Sequence, residues 1–214
     1  SIVEPLNIVP QELLLEAYQF HVLGNIQSPR TVPRLSKTQF AFNPKQKSKW
    51  ITLECNDTVI KSTRGLEPKP QTCLTNLVFN KRGQYYWEIE IIDTVSPSDI
   101  MIGVVDPNMD SIFGNFFTHT PRGWGWYANT GAVYHQSVAS NYAESFGKGD
   151  IIGVLLDLDN EGTLSFFKNE KYMGAAFKNI TGPVCPAVTI YHPSDKVRIV
   201  SNASLPLHSL IKKS

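Results

Sequence analysis

From Trp50 onward the chain is a succession of short runs rich in Val, Ile, Tyr, Phe and Trp: "WITLE", "NLVFN", "YYWEIEII", "DIMIGVV", "IIGVLLDL", "TLSFF" and "CPAVTIY". Residues of this kind, in runs this short, fit a pleated, half-buried surface. Between them lie "NDT", "NKRG", "GKGD", "DNEG" and "NEKYMG", which supply the Gly, Asn and Asp that a backbone turning with positive φ needs. Parallel strands would require crossover helices between the runs, and the intervals are too short and too turn-like to hold them. The pattern therefore predicts an all-β chain, folded as a bent antiparallel two-sheet sandwich. At 214 residues the chain has room for one main core and an appendage.

The appendage is N-terminal. "PQELLLEAYQFHVLG" opens on a proline suited to a first helical turn, sets Leu13, Leu14, Ala17, Tyr18 and Leu23 near one face, and stops at Gly24. That predicts a short amphipathic helix of about four turns. Residues 25–47 carry three prolines with basic and polar residues and no alternation, which predicts a linker or extended arm, one able to cover a sheet edge. The expected division is 1–47 for helix and arm, 48–203 for the sandwich and 204–214 for a tail.

Charge and cysteine usage narrow the function classes. A formal net charge of +1 provides no field to gather nucleic acid, acidic membrane or polyanionic substrate. Cys55, Cys73 and Cys185 are odd in number and show no C-x-x-C interval, so neither a disulfide framework nor a zinc site is expected. Reduced cysteines place the chain in the cytoplasm, with the nucleus also open. No apolar run is long enough to span a bilayer. Three Asn-x-Ser/Thr triplets occur, at Asn56, Asn179 and Asn202, and such triplets are frequent by chance. The five histidines are scattered, with no serine or cysteine elbow and no metal-ligand interval, and "GLEPKP" lacks the spacing of a phosphate loop. Asp157 and Asp159 precede a turn and read as hairpin chemistry, not as a catalytic or calcium pair. The chain is read as non-catalytic, without cofactor or metal.

The aromatic stretch "WGWYANTGAVYHQS", residues 124–137, is read as two strand pieces around a turn at Ala128 to Gly131. Trp124 and Trp126 share a face and at least one belongs to the core; Trp87, flanked by Glu88 and alternating with Glu90, is a buried anchor. By the same period of two, His135 faces away from Tyr134.

In order, "GQYYWEIEI", "IGV", "WGWYANTGAVYH", "GDIIGVLLDLDNEGTLSFFKNEKYMGAAF" and "PAV" resemble the motifs of SPRY domains, over roughly residues 48–203. Within that family the chain is most similar to the subgroup joined to SOCS boxes. The resemblance implies a sandwich that binds a short linear peptide motif through loops at one end, often as the substrate-recognition part of a ubiquitin ligase adaptor. The alternative is a scaffold or architectural interaction domain of a larger protein unrelated to ubiquitination. The helix in "PQELLLEAYQFHVLG" resembles the closing helix of the BACK segment that follows BTB domains, which implies upstream domains contacting cullin-type machinery; an incidental amphipathic helix packing on the sandwich is the other reading. No SOCS-box-like helices are expected after Leu205, and the fragment is expected to be monomeric.

The resemblance also nominates a peptide site. The subgroup's peptide-contacting arginine falls on Arg64, its nearby proline on Leu66, and its pocket tyrosine on Tyr134. Its Val-Trp-Gly loop falls on Tyr191, His192 and Pro193, all three different. Those departures weigh against the family's Asn-rich specificity, and a peptide site at the same place reading another sequence is expected. The full candidate set is Arg64, Gly65, Leu66, Glu67 and Pro68, then Asp110, Ser111 and Ile112 of the "DPNMDSIF" loop, then Tyr134, Tyr191, His192 and Pro193.

Overall fold

The computed structural model describes residues 40–206 apart from 64, 66, 110, 111 and 160. The predicted N-terminal helix, the arm up to residue 39 and most of the tail lie outside the described residues. Fourteen strands are formed among those described: β1 Phe42–Lys47, β2 Ile51–Glu54, β3 Val59–Ser62, β4 Gln71–Thr75, β5 Gln84–Asp93, β6 Met101–Val105, β7 Gly123–Tyr127, β8 Val133–His135, β9 Val138–Ser140, β10 Ile151–Asp157, β11 Thr163–Lys168, β12 Lys171–Phe177, β13 Cys185–Ile190 and β14 Lys196–Ile199. They pair antiparallel in two seven-stranded sheets, ordered β1-β4-β13-β6-β7-β8-β9 and β12-β11-β10-β5-β14-β3-β2. Among the described residues no helix is long and apolar enough to cross a membrane.

Alternation in β5 decides which face meets the core. Trp87, Ile89 and Ile91 are buried, whereas Glu88 and Glu90 between them are only half-buried on the opposite face. Across the sandwich, β7 contributes Trp126, whose ring meets Phe146 at 4.7 Å, Phe166 of β11 at 5.6 Å and Tyr142 at 5.7 Å. Its indole N–H donates to the Gly131 carbonyl at 3.0 Å, so the one polar atom of the ring is satisfied inside the core. Trp124 is also buried and stacks on His135, ring centroids 4.9 Å apart. Gly131 itself sits at φ +72°, and a Cβ there would come within 2.1 Å of the Ala143 carbonyl oxygen, so the turn admits glycine alone.

Three expectations are corrected. "NLVFN" is not a strand: only Phe79 pairs, as an isolated bridge to Val184, and the strand lies upstream in β4, whose five residues are all buried. A strand covered on both faces has no polar alternation to reveal it. The last six residues of the predicted linker form β1, an edge strand with Pro44 and four polar or basic side chains around a register shift, which is edge chemistry that reads as loop. Finally, "NEKYMG" turns only at Asn169 and Glu170, both at positive φ, and then continues as β12.

The Asp157 carboxylate bonds within the turn that follows β10 and to the neighbouring strand β5. One oxygen of Asp157 accepts from the Asp159 backbone N–H at 3.0 Å and the other from Gln84 Nε2 at 2.9 Å. All three cysteines are free thiols, with Cys73 and Cys185 buried.

Candidate peptide-binding site

The outer face of the first sheet carries a second apolar cluster. Leu74, Met101, Val105, Cys185 and Ala187 are covered by the long β6–β7 connection, which folds Ile112 and Phe117 onto them. The connection is anchored at several points. Thr72 Oγ1 donates to the Asn115 carbonyl at 2.8 Å, Asp106 accepts from Arg122 Nε at 2.8 Å, and Gln46 Nε2 donates to the Pro107 carbonyl at 3.3 Å.

At the end of this face, three connections meet. Lys69 N–H donates to the Tyr191 carbonyl at 3.1 Å, which draws the β3–β4 loop against the β13–β14 turn. Phe116 of the β6–β7 connection lies nearly parallel to Tyr191, centroids 5.9 Å apart, and edge-on to Tyr127 at 5.8 Å. Tyr127 in turn meets Tyr134 edge-on at 5.6 Å. The register of β7 and β8 accounts for this last contact: Gly125 lies opposite Tyr134, which makes Tyr127, two residues on, the diagonal neighbour of Tyr134 on the same face. Tyr134, Tyr127, Phe116, Tyr191 and His192 thus form one chain of half-buried rings.

Two carboxylates hold that chain in place. Asp99 accepts from the Tyr127 hydroxyl, from Asn129 Nδ2 at 3.0 Å and, on its other oxygen, from His192 Nε2 at 2.7 Å. Partial burial opposes its ionisation, yet the hydrogen bonds from Tyr127, Asn129 and His192 keep the carboxyl below the usual carboxylate range. Burial, followed by the bond to Asp99, pushes the Tyr127 phenol well up. Asp195 is fully buried at the base of the turn. Its Oδ2 accepts from the backbone N–H groups of Tyr191 and His192 at 2.7 and 2.8 Å, and its Oδ1 from Thr94 Oγ1 at 2.7 Å.

The low Asp99 pKa has a measurable consequence. A carboxyl whose folded value lies below its unfolded one, about 3.9, contributes stability above that value and loses it as pH falls through the folded value. The parent chain is expected to lose stability more steeply than Asp99→Ala between about pH 5 and 2, as read by urea unfolding at each pH. Parallel curves would show that Asp99 is not the titrating group.

Of the nominated residues, the structure brings together Tyr134, Tyr191 and His192, with Pro193 half-buried beside them in the same turn. Gly65, Glu67 and Pro68 are exposed on the loop that Lys69 ties to Tyr191. Arg64, Leu66, Asp110 and Ser111 lie outside the described residues. Ile112 is a correction: it is 1% exposed within the second cluster, so it supports the loop from beneath and is not a contact residue. His135 faces the Trp124 side, as expected, with Nδ1 2.9 Å from the Gly123 carbonyl oxygen. Missed by sequence reasoning were Phe116, Tyr127, Asp99 and Asp195. Tyr127 stands on the Tyr134 face through the register of β7 and β8, Gly125 opposite Tyr134, which alternation within either strand does not fix across the turn. Among the described residues no three His, Cys, Asp or Glu side chains gather as a metal site.

The family model described as "SPRY domain" matches residues 84–203. The chain belongs to the SPRY domain family. SPRY domains are protein-interaction modules, so a loop surface of half-buried rings has an immediate chemical sense. Among relatives, the chain is 37% identical over 99 residues to SPRY domain-containing SOCS box protein 3 of Xenopus tropicalis, covering 44% of this chain and 27% of that protein. It is 26% identical over 199 residues to protein gustavus of Drosophila melanogaster, covering 85% of this chain and 70% of that one. The chain thus spans about a quarter of the first relative's length. The crystal structure of the SPRY domain of human HERC1 superposes with a TM-score of 0.65 at 23% identity, over 77% of this chain and 99% of that one, a likeness of fold.

Proposed function

We propose that this SPRY domain binds a short extended segment of a protein partner across Tyr134, Tyr191, His192 and Pro193, and that it selects substrates for a ubiquitin ligase. The observation that carries the binding reading is the convergence of three loops on one row of half-buried aromatic rings. Rings of this kind offer contact area at small entropic cost. Their fixed placement through Asp99 and Asp195 lowers the ordering cost of binding. The ligase role is supported by similarity to a protein named for its SOCS box, and the free thiols of Cys55, Cys73 and Cys185 support action in the cytoplasm.

A peptide-display selection on the 214-residue chain tests the first part. Tyr134→Ala is expected to weaken the selected peptide at least tenfold, about 1.4 kcal/mol, with the melting temperature shifted by no more than about 2 °C. Undiminished affinity in that variant sinks the site. For the second part, the selected peptide is fused to a reporter in cells making the full-length protein. A reporter that is bound without a shortened half-life counts against the ligase role and leaves the interaction module standing.

A further inference from the structure

We propose that the segment this surface takes is uncharged and proline-rich, bound as a left-handed polyproline helix. The proposal rests on the peptide-binding reading above and names its ligand class. An extended peptide can be held in two main ways, by adding a strand to an open sheet edge or by laying side chains and carbonyls over an aromatic surface. The first has little to work with here. β4, β13, β6, β7 and β8, which carry the surface, each have strand neighbours on both sides, and the open edge near the row, that of β9 beside Tyr134, is only three residues long, Val138–Ser140.

The second way fits on three counts. The row from Tyr134 through Tyr127 and Phe116 to Tyr191 is continuous, with successive centroids 5.6 to 5.9 Å apart, and pyrrolidine rings pack well against such faces. A polyproline helix makes no internal hydrogen bonds, so its carbonyls need donors from the partner. Tyr127 spends its hydroxyl on Asp99, whereas no hydrogen bond engages the hydroxyls of Tyr134 and Tyr191 among the described residues, which leaves a donor toward each end of the row. Charge points the same way. Asp99 is engaged by three hydrogen bonds, Asp106 pairs with Arg122, and exposed Glu67 and Lys69 on the β3–β4 loop are of opposite sign, so the described surface presents no cluster of like charge with which to select an ionic ligand.

The test uses the 214-residue chain and a capped, fluorescein-labelled decaproline, with a Gly-Ser peptide of equal length as control, read by fluorescence anisotropy. Saturable binding of decaproline is expected, at least about tenfold tighter than the control. Tyr134→Ala and Tyr191→Ala should each weaken it at least about fivefold, with melting curves confirming that both variants fold. Tyr134→Phe, which keeps the ring and removes the donor, should lose affinity by a smaller factor. Decaproline bound no better than Gly-Ser, or bound equally by both alanine variants, overturns the proposal. If display then returns proline-free peptides that still depend on Tyr134, the ligand class alone has failed; if they do not depend on it, the site has failed as well.

Discussion

Trp126→Ala is expected to cost this domain about 4 kcal/mol and to lower its melting temperature by roughly 10 °C or more. The ring is fully buried, and it touches Phe146, Tyr142 and Phe166, the last of these on the opposite sheet. Truncation removes the transfer free energy of an indole and leaves a cavity between two sheets that cannot collapse without breaking their register. The lost hydrogen bond adds little, because the Gly131 carbonyl keeps a second donor, the Ala143 N–H at 3.0 Å. Trp126→Phe, which refills part of the space, should recover about half of the loss. Thermal and urea unfolding decide the matter: an alanine variant melting within about 3 °C of the parent would mean that this ring does not join the sheets.

The second large effect is expected at Asp195. In Asp195→Ala, the backbone N–H groups of Tyr191 and His192 lose an acceptor whose side chain is fully buried, while the Thr94 hydroxyl keeps Ser98 Oγ, 3.1 Å away, as its acceptor. Each unsatisfied buried donor costs roughly 1–3 kcal/mol, so a destabilisation of about 3 kcal/mol is expected. Because the turn carries Tyr191, His192 and Pro193, peptide binding should fall with it, even at temperatures where the variant is still folded. Asp195→Asn separates acceptor loss from charge loss: its carbonyl oxygen can still receive both N–H groups, and its amide can donate to the Thr94 oxygen. That variant should recover most of the stability. If the asparagine and alanine variants are equally unstable, the carboxylate charge, not the hydrogen-bond geometry, holds the turn.

Much of the sandwich is legible in the order of the residues. Alternation in "YYWEIEII" places Trp87 and Ile89 inward, and the spacing in "WGWYANTGAVYHQS" separates Tyr134 from His135, because a strand's period of two is a local property that neighbouring residues display directly. Segments whose environment is set from a distance are not legible in this way. β4 has apolar and polar residues buried alike, so its sequence shows no pattern, and β1 carries the proline and lysines of an edge.

The same division runs through the site. The motifs assign the family, the sandwich and Tyr134 as a candidate, all from residues read in order. That Asp99, already bonded to Tyr127, reaches His192 across 93 residues, and that Phe116 stands between Tyr127 and Tyr191, depends on where the loops end when two sheets close. Single Asp and Phe residues in polar loops look alike in any sequence. Only the tertiary structure decides which of them is buried against a partner, because hydrogen bonds and ring contacts between distant segments depend on distance in space and leave no periodic trace along the chain.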